Sequence, residues 1–215
     1  MYFGGTGKFF SCFRLHQCFG ICILLTNHCD GIMVIILFGA PGVGKGTQAA
    51  LLAERKNIKH LSTGEAFRAA IREGTAMGKT AQEYVESGRL VPDEIVTGIV
   101  AETIAKPEYA EGYILDGYPR TASQAHALQE ILEKQGTDVD IVVNIDVDND
   151  EIINRMLLRG RKDDTREVIA DRLAIYNNET APLLAFFQER GKLQSIDGNA
   201  EVEEVYSRIE KIIFG

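Results

Sequence analysis

Past residue 32 this 215-residue chain has no cysteine: Cys12, Cys18, Cys22 and Cys29 all precede Met33. The body is therefore built without disulfides or a cysteine-ligated metal, which suits a reducing cytoplasm. The four cysteines are separated by five, three and six residues, which is neither zinc-finger nor redox spacing. Basic residues are also scarce, with 23 Lys and Arg against 31 Asp and Glu and a net charge of −8. That balance argues against a nucleic-acid partner, and any anionic ligand must be met by cations gathered locally. Such a gathering runs from Arg155 to Arg172. There is no internal repeat and no low-complexity run.

No long apolar run is present either. The segment Phe19 to Leu25, behind Lys8 and Arg14, can be read as a short signal-peptide core but is too short to span a bilayer. Residues 1–32 are open to three readings: an extension, disordered or not native, ahead of a start at Met33; a targeting segment; or a membrane or metal function. The first is favoured, because Met33 opens a strand directly and nothing upstream is needed to complete it.

With 45% hydrophobic and 25% charged residues, the chain holds enough for one sizeable core and shows no second full domain. From Met33 onward, apolar runs alternate with helical stretches, which predicts an α/β fold with a parallel sheet flanked by helices on both faces. Strands are expected at 33–38, 58–61, 112–115, 140–146 and 193–196. Helices are expected at 45–56, 63–73, 77–86, 93–105, 122–135, 149–159, 165–190 and 201–212. Pro92 before Asp93 and Glu94 reads as a helix first turn, and Asp148 as a capped start. Two arginine-bearing inserts, about 62–91 and 159–170, are expected to close over a site beyond the carboxyl ends of the strands.

The chemistry starts at Gly39-Ala-Pro-Gly-Val-Gly-Lys-Gly-Thr47, directly after the apolar run 33–38. Strand, glycine loop and helix start form a phosphate cradle of the P-loop NTPase kind, with backbone N–H groups turned inward and Lys45 as a point charge. The generic pattern places a hydroxyl straight after the lysine; here Gly46 intervenes and the hydroxyl is Thr47. A GTPase would carry Asn-Lys-x-Asp, which is absent. Tyr113-Ile-Leu-Asp116 is an apolar strand ending in a carboxylate, where such an enzyme needs an acid for Mg²⁺ or its waters. A strand-end Asp is also a common cap or turn residue.

The loop at 39–47, Leu61-Ser-Thr-Gly64 with Arg68, Asp116-Gly-Tyr-Pro-Arg-Thr121 with Gln124, and Gly160-Arg-Lys-Asp-Asp164 with Arg172 together resemble the adenylate kinases of the nucleoside-monophosphate kinase family. The resemblance runs from about Met33 to the C-terminus, and the displaced Thr47 is the usual form there. It implies a domain over 33–215, with 62–91 as a small monophosphate-binding insert and 159–170 as a short lid. Only Gly160 separates Arg159 from Arg161, where many relatives carry a long lid, so a short-lid form without structural zinc is implied.

Site roles follow from the same resemblance. Gly42, Val43, Gly44, Lys45, Gly46 and Thr47, with Arg155 and Arg159, would bind ATP. Thr63, Arg68, the backbone of Arg89, Leu90 and Val91, then Gly117, Tyr118, Pro119, Arg120 and Gln124, with Arg161 and Arg172, would bind AMP. Arg68 and Arg120 would meet its phosphate, and Thr63 and Gln124 its adenine. Relatives acting on UMP or CMP resemble Ser-Ala-Gly where this chain has Ser-Thr-Gly. Catalysis would rest on Lys45, Arg120, Arg159, Arg161 and Arg172, with Mg²⁺ held by Asp116 through water.

Arg155 and Arg159 are four apart and share a helix face, while Arg161 and Arg172 converge if the residues between are largely helical. Planar guanidinium forks suit phosphate oxygens. Asp163 and Asp164 would orient the arginines or steady the lid. The implied reaction is reversible phosphoryl transfer from MgATP to AMP, giving two ADP, by a cytoplasmic monomer with no nucleic-acid or membrane partner. A UMP/CMP kinase and a non-catalytic nucleotide-binding adaptor are the alternatives.

Overall fold

The computed structural model describes residues 32–215, and the expectations for the amino-terminal extension fall on residues outside these. Five parallel strands, β1 (Met33–Phe38), β2 (Lys59–Ser62), β3 (Gly112–Asp116), β4 (Ile141–Asp146) and β5 (Leu193–Asp197), form one sheet ordered β2-β3-β1-β4-β5. A parallel strand with helices on both sides has two buried faces, which is why β1, β3 and β4 read as continuous apolar runs. Burial follows that logic along β1. Val34, Ile36 and Phe38 enter the core on one face of the sheet, and Ile35 and Leu37 enter the core on the other.

The helices are α1 (Lys45–Lys56), α2 (Thr63–Glu73), α3 (Ala76–Glu86), α4 (Asp93–Ile104), α5 (Ala122–Lys134), α6 (Asn149–Arg159), α7 (Arg166–Ile175), α8 (Leu183–Glu189) and α9 (Val202–Phe214). Helices α2, α3, α4, α5 and α8 supply Phe67, Ala81, Val100, Leu128 and Phe187 to the first core. Helices α1, α6, α7 and α9 supply Leu52, Met156, Ile169 and Ile209 to the second. Each of these side chains other than Ala81 contributes about 1.5–3 kcal/mol when fully withdrawn from water. Among the described residues no helix is long and apolar enough to cross a membrane.

Local chemistry sets most boundaries. Ser62 ends β2 and caps α2, its Oγ accepting the N–H of Glu65, and Gly74 closes that helix in the left-handed region. Helix α4 starts at Asp93 behind Pro92, as expected. Asp148 does stand at the N-cap of α6, but its side chain makes no capping hydrogen bond.

The expected helix over 165–190 is two helices. Between α7 and α8 lies a π turn, Tyr176–Thr180, in which the N–H of Ala181 reaches the carbonyl of Tyr176 at 2.8 Å. Pro182 supplies the cause: it has no N–H to offer and its ring excludes the carbonyl one turn back. Residues 160–165 are likewise turn and coil rather than helix, so Arg161 and Arg172 are not related by helical turns.

The strand register aligns Leu37 with Asp116 and Phe38 with Asn144. The chain fills one side of β1 with β2 and β3 and the other with β4 and β5. A crevice therefore opens at the carboxyl ends of the central strands, where ligands of open α/β sheets bind.

Candidate active site

One cavity of ≈ 860 Å³ occupies that crevice, and every site residue inferred from the sequence lines it. At one end is the loop after β1. Gly44, at φ 103°, is the N-cap of α1 and brings no capping side chain, so the first N–H groups of the helix are left for an anion. Gly42 is required twice over, by a φ of 95° and because a Cβ there would stand 2.7 Å from Met156 Cγ. Lys45 Nζ donates to the carbonyls of Gly39 and Ala40 at 2.8 and 2.9 Å, which holds it against the rim of its own loop. Burial is the main cause that brings its ammonium down to about 8, with Arg120 and Arg159 adding to the effect and Asp116 opposing it.

Asp116 ends β3 only 8% exposed, and a Cβ on Gly46 would lie 3.4 Å from its Oδ2. The carboxylate therefore faces the phosphate loop. Burial acts to raise its pKa, but His60, Lys45 and Arg120 outweigh burial and hold it below the ordinary carboxylate value. His60 Nε2 lies 3.6 Å from Asp116 Oδ2, outside hydrogen-bond distance, and is buried without another partner.

At the other end stand Thr63, Arg68, the 89–91 segment and the loop 117–124. Thr63 is buried, and its hydroxyl donates to the carbonyl of Gly117 at 3.0 Å. Arg120 folds back so that Nε donates to that same carbonyl at 2.8 Å. Its backbone is gripped on both sides: its N–H donates to Gln124 Oε1 at 2.8 Å, and its carbonyl accepts from Thr180 Oγ1 at 2.8 Å. Tyr118 is buried with its hydroxyl on the carbonyl of Gln124, so it lends the cavity a wall and not a polar group.

The arginines expected between 155 and 172 divide. Arg155 pairs with Glu151 at 2.7 Å and reaches the carbonyl of Gly198, so it leans toward the loop after β5. Arg159 makes two bonds to Asp164, at 2.9 and 2.7 Å, and Arg161 adds its backbone N–H to the same carboxylate at 3.2 Å. Arg172 bonds Asp163, Asp164 and, at 3.3 Å, the carbonyl of Val85. The guanidiniums of Arg159 and Arg172 converge on Asp164, whose side chain is fully covered, and not through helical spacing; Arg161 is tied there only by its backbone. Burial first, then neighbouring arginines, pushes the guanidinium of Arg161 below its ordinary value, with nearby aspartates opposing, and burial dominates for Arg68; Arg120 shifts the same way through partial desolvation against the cavity wall, opposed by Asp116 and helped by Arg172, although much of its side chain reaches solvent. They remain charged.

A cradle for phosphates and a second anion-binding end thus share one cavity. The sequence profile of the family described as Adenylate kinase matches residues 37–192. The chain belongs to the adenylate kinase family. Adenylate kinase 1 of Nostoc sp. is 48% identical over 171 residues, 80% of this chain and 93% of that protein. Adenylate kinase 1 of Synechocystis sp. is 45% identical over 179 residues, 83% of this chain and 96% of its own length. The adenylate kinase of Corynebacterium glutamicum is 45% identical over 181 residues, covering 84% and 99%.

Three groups in this adenylate kinase fold escaped the sequence reading as site residues. Thr180 reaches Arg120 only because the π turn redirects it; Pro182 inside a helical pattern was the available signal. Asp93 was visible only as a helix start, yet it bonds Gln124 and Thr121. Gln48, buried in α1, donates to the carbonyl of Val202 and so ties the phosphate-loop helix to the start of α9. Nothing in the local pattern signalled that tie.

Proposed function

We propose that this chain carries the terminal phosphoryl group of MgATP to AMP, reversibly, giving two ADP, with donor and acceptor at opposite ends of the one cavity. The single observation that carries the reading is the pairing of an uncapped phosphate loop with a second cationic end formed by Arg68 and Arg120. Residues 42–47 with Arg155 and Arg159 take the donor. Thr63, Arg68, the 89–91 backbone, 117–120 and Gln124, with Arg161 and Arg172, take the acceptor. The segment 62–91 serves as the monophosphate-binding insert, and 159–170 as a short lid.

The acceptor phosphate is already anionic near neutral pH, so no general base is needed. Lys45 and the arginines spread their charge over the equatorial oxygens of the transferring group, and the walls fix the two phosphates in line. Asp163 and Asp164 hold Arg159 and Arg172 in the meantime, so the cations are gathered before substrate arrives.

Asp116 fits a role toward Mg²⁺: it is an ionised oxygen donor beside the phosphate loop, a hard ligand for a hard cation. Among the described residues no group of three or more His, Cys, Asp or Glu can hold a metal, so phosphates and water would complete the shell. When bound, Mg²⁺ neutralises charge on the donor phosphates. The enzyme would act as a cytoplasmic monomer, and the absence of cysteine past residue 32 supports the compartment.

The test is a panel of AMP, UMP, CMP and GMP against MgATP in a coupled ADP assay. AMP should be the preferred acceptor; a preference for UMP or CMP, or no turnover with AMP, overturns the assignment.

A further inference from the structure

Gln124 is 2% exposed and its amide is gripped from both ends. Oε1 accepts the backbone N–H of Arg120 at 2.8 Å, and Nε2 donates to Asp93 Oδ1 at 2.7 Å. The two partners are opposite in kind. A peptide N–H only donates and a carboxylate only accepts, so the amide has one permitted orientation. Asp93 is itself anchored. Its Oδ2 accepts the Thr121 hydroxyl at 2.7 Å, and that hydroxyl also caps α5 by accepting the N–H of Gln124 at 3.2 Å. Both carboxylate oxygens of Asp93 are thus committed to the loop that carries Gln124. The amide keeps one N–H and one oxygen lone pair unspent.

Orientation matters because the bases it would meet differ in polarity. A 6-aminopurine offers an amino donor beside a ring-nitrogen acceptor; a 6-oxopurine offers a carbonyl acceptor beside a ring N–H donor. An amide with nitrogen and oxygen in fixed places complements one of these edges, and the same amide turned over complements the other. A purine pocket that reads polarity with a neutral amide therefore needs a second group to stop the amide turning.

We propose that Asp93 is that group: a positioning residue that, through its bond to Gln124 Nε2, makes the acceptor end favour a 6-aminopurine monophosphate over a 6-oxopurine one. The inference rests on the reading of Gln124 as a contact of the acceptor base. Asp93 does not touch the substrate. It acts by holding the amide that does.

The experiment uses the full chain with saturating MgATP and compares kcat/KM for AMP and IMP in the wild type, Asp93→Ala, Asp93→Ser, Asp93→Asn and Gln124→Ala. Asp93→Ser supplies a second, polar truncation should the alanine variant fold poorly. In both the Ala and Ser variants kcat/KM for AMP should fall about tenfold, the size of losing one hydrogen bond to a charged group, and the AMP:IMP ratio should fall with it. KM for ATP should stay within about twofold, as expected for a change that spares the donor end. Asp93→Asn, which keeps a carbonyl oxygen for Gln124, should recover most of the ratio.

If Gln124→Ala collapses the ratio while Asp93→Ala and Asp93→Ser keep it, the inference is overturned and the reading of Gln124 stands. If Gln124→Ala leaves the ratio intact, the reading of Gln124 falls and the inference with it. KM values for ATP and AMP rising together at a constant ratio would mark Asp93 as support for α4 alone, which also overturns the inference.

Discussion

Replacing Asp164 by alanine should destabilise the empty enzyme strongly and the loaded enzyme much less. Its carboxylate is fully covered and accepts from Arg159 at 2.9 and 2.7 Å, from Arg172 at 3.3 Å and from the N–H of Arg161 at 3.2 Å. Removing one partner from a buried ion network costs about 3–5 kcal/mol, because the remaining charges lose their counterion. Arg159 is 31% exposed and Arg172 is 16% exposed, so water compensates part of that loss. A net loss of about 2–3 kcal/mol is expected, which for a chain of this size lowers Tm by about 4–12 °C.

On the proposed assignment nucleotide phosphates would offer Arg159 and Arg172 a replacement partner. With saturating Mg²⁺ and ADP the Tm deficit should therefore shrink by about half or more. Acid should erase the difference as well. Burial acts to raise the pKa of Asp164, but the hydrogen bonds and charge of Arg159, the N–H of Arg161 and the charge of Arg172 more than offset burial and hold it below its ordinary value. A depressed carboxyl contributes its full stability above the unfolded pKa of about 4 and loses it as pH falls through the folded value. Melting curves of wild type and variant should then converge at low pH. The measurement is differential scanning fluorimetry with and without nucleotide, at neutral pH and in acid. A deficit under about 1 °C, or one that nucleotide leaves unchanged, would refute the account of Asp164 as an internal counterion, since a network loss must exceed ordinary surface scatter.

Three further outcomes are expected. Lys45→Met or Arg120→Ala should lower kcat by at least about 100-fold in the coupled assay, as for loss of one preorganised charge at a transition state, with the fold retained by circular dichroism; near wild-type rates would sink their electrostatic role. Because burial sets the Lys45 ammonium at about 8, kcat/KM should fall as pH rises through that value, and Lys45→Arg should move the limb to higher pH. Stability runs the other way: between about 8 and 10.5 the unfolded chain holds more protons than the native one, so unfolding free energy rises with pH, and a flat denaturation series would contradict this. Thr180→Val should lower kcat/KM for AMP about tenfold by leaving the carbonyl of Arg120 unpaired, and Thr180→Ser should restore it; unchanged kinetics in the valine variant would show that the π turn does not position Arg120.

The strands were legible in the sequence because two buried faces leave an unbroken apolar run, and the phosphate loop because its glycines perform backbone tasks that no other residue can. The break at 176–182 was harder to see. Pro182 was visible, but the flanking pattern is helical on both sides, and only packing shows that the chain resumes its course after one widened turn. The arginine cluster is legible but its geometry is not: helical spacing predicts a meeting of Arg161 and Arg172, whereas a buried aspartate beside a non-helical turn gathers Arg159 and Arg172 and takes only the backbone of Arg161. Gln124 illustrates a third limit. Sequence can nominate an amide for a base contact, but its orientation depends on Asp93, thirty-one positions away and brought close by the packing of α4 on α5.

Helix α1 begins at Gly44 with no side chain to terminate it. Helices α2, α3, α5 and α7 carry their own stop at the amino end through Ser62, Thr75, Thr121 and Thr165. On the proposed assignment α1 would take its terminator from the donor nucleotide. Phosphate binding would then also be the last step of secondary-structure formation in the first helix, and the amides of its opening turn should exchange with solvent in the empty enzyme and cease to do so in the occupied one. Folding and substrate binding meet in the same few peptide groups.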